Sequence, residues 1–75
     1  MTLNGREIEI LTLVAKGMNL EECSAWLGLS ERFLKAALDV AMNKLGVTNL
    51  DEAVTAARNL GYLRPDENDP EYDLG

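Results

Sequence analysis

Apolar residues recur at three- and four-residue steps in four stretches of the chain. Ile10, Leu11 and Val14 make one stripe, Cys23 and Leu27 a second, Leu34, Leu38, Ala41, Met42 and Leu45 a third, and Ala53, Val54, Ala57 and Leu60 a fourth. Because about 3.6 residues complete a helical turn, this spacing puts each set on one side of an α-helix. No stretch alternates with the two-residue period of a half-buried strand, so the pattern predicts an all-α fold.

The residues between the stripes agree. Asn4, Asn19, Ser30 and Asn49 stand ahead of them, and Gly17, Gly28, Gly46 and Gly61 stand behind. An Asn or Ser side chain accepts from the unpaired N–H groups of a first helical turn, and glycine takes the left-handed conformation that ends a helix. Glu7, Glu22 and Glu52 each follow an asparagine cap by three residues, the spacing of a reciprocal capping box. The predicted helices cover about 5–16, 20–27, 31–45 and 50–60. Leu3, Met18, Leu29 and Val47 lie just outside the ends, where they can plug the junctions. Gly28-Leu29-Ser30 joins a short helix to a longer one, as in a helix-turn-helix unit with its support and recognition helices.

A chain of 75 residues holds one small domain. With no histidine and a single cysteine, Cys23, an internal disulfide, a Cys/His zinc site and a histidine-based triad are all excluded. No apolar run approaches the roughly 18 residues that span a bilayer, and Met1 to Thr12 carries Arg6, Glu7 and Glu9 where a signal peptide would be apolar. A cytoplasmic, untargeted protein is expected. The helix punctuation leaves no long loop to build a catalytic pocket, so no enzyme is expected. Asp66, Asn68 and Pro70 have part of the spacing of a calcium loop but lack its glycine and distal glutamate, so neither metal nor cofactor is expected.

The formal net charge of −6 would oppose nucleic acid if it were spread over the whole surface. It is not spread: Met1 to Arg64 holds 8 acids and 7 bases, while Pro65 to Gly75 holds 5 acids and no base. The division predicts a nearly neutral domain, 1–64, and a disordered acidic tail, 65–75, with two prolines and little apolar content. The tail is read either as a solubilising terminus or as a segment that occupies a partner's basic face.

The string from Leu3 to Leu63 carries Arg6-Glu7, Glu9-Ile10-Leu11, Leu13-Val14-Ala15-Lys16-Gly17, Leu27-Gly28-Leu29-Ser30-Glu31-Arg32 and Lys35. It continues with Lys44-Leu45-Gly46-Val47, Glu52-Ala53-Val54 and Ala57-Arg58. In this it resembles the LuxR-type helix-turn-helix domain of bacterial transcriptional regulators, over about four fifths of the chain. The resemblance implies a four-helix domain whose third helix enters the DNA major groove and whose fourth helix pairs two copies. Carried over to this sequence, Lys35 is the candidate for a base edge, and Arg32, Lys44 and Lys16 are candidates for phosphates.

The third helix departs from the family pattern. Members usually have Thr, Val, Lys, a polar residue and often His after Ser-Glu-Arg; here stand Phe33, Leu34, Lys35, Ala36 and Ala37, followed by Asp39, Val40 and Asn43. At about 100° per residue, with Phe33 at zero, the core stripe falls at about 80–180° and Phe33, Ala36, Ala37 and Val40 fall between about 300° and 40°. Arg32, Lys35, Asp39 and Asn43 fill the remaining arc. Trp26 stands on the outer side of the second helix, where the family usually has a polar residue. Trp26 and Phe33 either fold over each other or over the loop and enlarge the core, or, with Ala37 and Val40, they form a surface for a protein partner. Two functions follow, a transcriptional regulator that binds duplex DNA through the third helix, and an antiactivator-like module that binds a transcription factor through the apolar face.

Overall fold

The computed structural model describes residues 2–63. The expected acidic tail, 65–75, lies outside them. Four helices follow in order: α1 (Gly5–Ala15), α2 (Leu20–Leu27), α3 (Glu31–Leu45) and α4 (Leu50–Asn59). The all-α architecture and the helix limits match the sequence expectation to within one residue.

The caps form as their residue types dictate. Asn4 Oδ1 accepts from the Glu7 N–H at 2.8 Å while Glu7 Oε1 takes the Asn4 N–H at 2.8 Å, and Asn19 and Glu22 repeat the exchange at the start of α2. Ser30 caps α3 through the Phe33 N–H. At α4 the exchange is altered: Asn49 accepts from the Glu52 N–H, but Glu52 takes the Asn49 side-chain amide in place of its backbone N–H.

All four helices end in one way. The N–H of the second or third residue beyond each helix donates to a carbonyl five residues back: Met18 to Leu13, Leu29 to Ser24, Val47 to Met42 and Tyr62 to Ala57. In such an ending the last apolar side chain turns back onto the helix it has left. Met18, Leu29, Val47 and Tyr62 all pack against the core.

That core is built of Ile10, Leu11, Cys23, Leu34, Ala41, Ala53 and Ala57 without exposed surface, ringed by Leu3, Leu13, Leu38 and Leu63. Burial, with the neighbouring Glu22 charge second, pushes the Cys23 thiol up, so it packs as a small hydrophobe. Helices α1 and α3 each pack against the three others, whereas α2 and α4 do not meet. Leu60, placed in the fourth stripe by its spacing, is 66% exposed. It caps the helix just where the chain turns, and Tyr62 and Leu63 enter the core in its place.

Candidate nucleic-acid interface

The surface of interest begins at the turn between α2 and α3. Gly28 sits at φ 69° and ψ 29°, the left-handed region in which a Cβ costs about 1–2 kcal/mol. Its N–H and that of Leu29 both donate to the Ser24 carbonyl. The Ser24 hydroxyl completes the lock by donating to the Leu29 carbonyl, so one side chain closes the turn from the inside. With Ser30 capping the next helix, the start of α3 is held at both of its neighbours.

From this start α3 presents two faces. Leu34, Leu38 and Ala41 are buried, with Met42 and Leu45 packed beside them. On the opposite side Arg32, Lys35, Ala36, Asp39 and Asn43 are exposed, as are Phe33 at 48% and Val40 at 49%. Arg32, Lys35 and Asp39 form no ion pair with a described residue. Trp26 is 73% exposed and takes no part in the core.

Two expected site residues are less open than their positions on the helix imply. Ala37, grouped with Phe33 and Val40, is partly buried and packs against the core, because it lies only about 40° from the edge of the core stripe. Lys44, expected at a phosphate, is held inside the domain. Its Nζ donates to Glu7 Oε1 at 2.9 Å and Oε2 at 3.2 Å, and lies 3.4 Å from the Thr2 carbonyl oxygen. Only 18% of the Lys44 side chain and 3% of that of Glu7 reach solvent.

Glu7 thus does two things that its place in a capping box does not disclose. Burial disfavours its charge, yet the Asn4 N–H, the Lys44 hydrogen bond and the Lys44 charge together outweigh burial and hold the carboxyl below the usual carboxylate range. The pair ties the first turn of α1 to the last turn of α3. Lys16, by contrast, is exposed at the C-terminal cap of α1, where a cation also suits the helix dipole. Arg6 is shared with Glu9.

This arrangement of four capped helices, with the outer face of the third left uncovered, has counterparts among known proteins. The family model for bacterial regulatory proteins of the luxR family, GerE, matches residues 1–57. The chain belongs to this luxR family. Its domain is 39% identical over 64 residues to the transcriptional regulatory protein YdfI of Bacillus subtilis, covering 85% of this chain and 30% of YdfI. It is 38% identical over 61 residues to the HTH-type transcriptional activator RamA of Corynebacterium glutamicum, covering 81% of this chain and 22% of RamA. The luxR-family domain described here therefore spans under a third of the length of these relatives.

Among solved structures, the transcription factor GerE superposes with a TM-score of 0.81 at 30% identity, over 88% of this chain and all of GerE. The response regulator ChrA of a heme-sensing two-component system gives 0.79 at 39% identity, over 83% of this chain and 31% of ChrA. The luxR family is one of transcriptional regulators and not of enzymes. No helix among the described residues is long and apolar enough to cross a membrane.

Proposed function

We propose that this luxR-family domain regulates transcription by binding duplex DNA through α3, with Lys35 at a base edge and Arg32 and Lys16 at phosphates. One observation carries the reading: the face of α3 that turns away from the core is uncovered, and Arg32 and Lys35 extend from it without an ion-pair partner among the described residues. The capped turn at Gly28 supports it, since a recognition helix has to be held at a fixed angle to place side chains against base edges. Lys44 is absent from this set because Glu7 neutralises it.

Two or three phosphate contacts give weak binding with a log–log salt slope of about 2–3 per domain, at about 0.9 per neutralised phosphate. Pairing of two domains through α4 would double the contacts. Thr55 and Ala56, with Asp51, Glu52 and Asn59, line a shallow open groove of about 330 Å³ along α4, and their small side chains suit close approach of a second helix.

The test is a fluorescence polarisation titration with short duplexes at low and at physiological salt. Arg32→Ala is expected to weaken binding and lower the salt slope by about 0.9, whereas Lys35→Ala is expected to weaken binding and relax the base preference. Absence of binding by the unaltered chain at low salt would overturn the reading.

A second reading rests on Trp26, Phe33 and Val40, which stay exposed on α2 and α3. In it the domain binds a transcription factor through this apolar surface and does not bind DNA. Loss of a protein partner in Phe33→Asp and Val40→Asp, with no duplex binding by the unaltered chain at low salt, would favour this reading.

A further inference from the structure

Asp39 is the residue that the DNA reading leaves unexplained. It is exposed on α3, one turn beyond Lys35 and one turn before Asn43, and it forms no ion pair with a described residue. Lys35, Asp39 and Asn43 follow one another at four-residue steps, so they share a strip of the helix surface. If α3 enters a groove, this carboxylate enters with it. Phosphates on both walls then repel it, and an ionised carboxylate only accepts hydrogen bonds.

The major groove offers two donors to such a group, the amino groups of cytosine and adenine. They are not equivalent. Adenine N6 lies between two acceptors, its own N7 and O4 of the paired thymine, and both repel a carboxylate. Cytosine N4 has an acceptor on one side only, O6 of the paired guanine. That acceptor and the guanine N7 are what a lysine ammonium seeks. Lys35, one turn away on the same strip, supplies it.

Building on the proposed DNA reading, we propose that Asp39 is a specificity-determining residue that accepts a hydrogen bond from N4 of one cytosine in the target site. Lys35 donates to a guanine at the same or the neighbouring base pair. The carboxylate acts twice: it gains a partner at cytosine, and at any other base it is left unpaired among acceptors and phosphates, which weakens binding to wrong sites. The exposed alanine and aromatic groups beside it, Ala36 and Phe33, suit the thymine methyl group, so the apolar character of α3 is compatible with base reading.

The experiment is selection of bound duplexes from a pool with randomised base pairs, using the full chain and its Asp39→Ala and Asp39→Asn variants. Equilibrium titrations of the enriched duplex and its single-base variants follow, with helicity checked for each protein. The unaltered chain is expected to enrich cytosine at one fixed position and to lose roughly 5- to 150-fold in affinity when that cytosine is replaced. Asp39→Ala is expected to bind random duplexes more tightly than the unaltered chain and to discriminate less than about twofold at that position. If the chain binds duplexes but Asp39→Ala keeps the same base preference, or gains equally on every duplex, the Asp39 assignment is overturned while DNA binding stands. If neither protein binds any duplex at low salt, the DNA reading falls and this assignment falls with it.

Discussion

Lys44→Met should damage the fold and not merely a surface contact. The substitution removes the ammonium from a carboxylate of which 3% is exposed, leaving Glu7 with the Asn4 N–H and no countercharge. Breaking a buried pair in this way costs about 3–5 kcal/mol, set against roughly 4–11 kcal/mol of total stability for a chain of 75 residues. Glu7→Gln should cost less, about 1–2 kcal/mol, because glutamine keeps the bond to Asn4 and the Lys44 side chain, 18% exposed on a flexible stem, reaches water by a small movement. The double variant has no buried charge, so its cost should fall short of the sum by about 2–3 kcal/mol.

Urea unfolding followed by far-ultraviolet circular dichroism measures all four proteins. The pH dependence provides a second readout. The Glu7 carboxyl is held below its unfolded value in the folded state, so its contribution is complete above the unfolded carboxylate pKa and fades as the pH falls through the folded one. The unaltered protein should therefore lose stability below about pH 4, and Glu7→Gln should flatten that loss. An unchanged urea midpoint for Lys44→Met, or strictly additive costs in the double variant, would refute the argument and return Lys44 to the surface.

Other expectations are simpler. Gly28→Ala should destabilise by about 1–2 kcal/mol through the left-handed backbone alone, since nothing lies within 4 Å of the added Cβ, and Gly28→Asn should cost less; thermal unfolding distinguishes them. Trp26→Ala should shift stability by no more than about 0.5 kcal/mol despite removing the largest side chain in the protein, whereas Leu34→Ala should cost about 2–5 kcal/mol; comparable losses in urea unfolding would show that Trp26 is packed after all.

Much of the fold was legible because the signals are local. A cap and its third residue, or a stripe at three- and four-residue steps, are set by geometry within one helix, and Asn4, Asn19 and Ser30 form their caps as their spacing implies. Leu60 shows where local reasoning stops. Its spacing continues the α4 stripe, but the chain has already begun its turn there and the core is filled by Tyr62 and Leu63. The site divides in the same way. Exposure of Phe33 and Val40 follows from a helical wheel, since the core side of α3 is fixed by five apolar residues. The Glu7–Lys44 pair does not, because its members stand 37 residues apart and each already has a sufficient local explanation, as a cap and as a basic residue near a helix end. Ser24 was hidden for another reason: its role depends on the path of the turn after Gly28, which brings the Leu29 carbonyl back over α2.

The Glu7–Lys44 tie also bears on the N-terminal side of the domain. Thr2 lies beside Lys44, at the last turn of α3, and Lys44 stands about 18 Å along the helix axis from Arg32 at the first turn. Whatever is joined ahead of Thr2, an affinity tag, a fluorophore or another folded unit, would enter at the far end of α3 from the turn at Gly28. On the proposed DNA reading, attachment at that end keeps the addition away from Arg32, and a dye placed there should report duplex binding by distance.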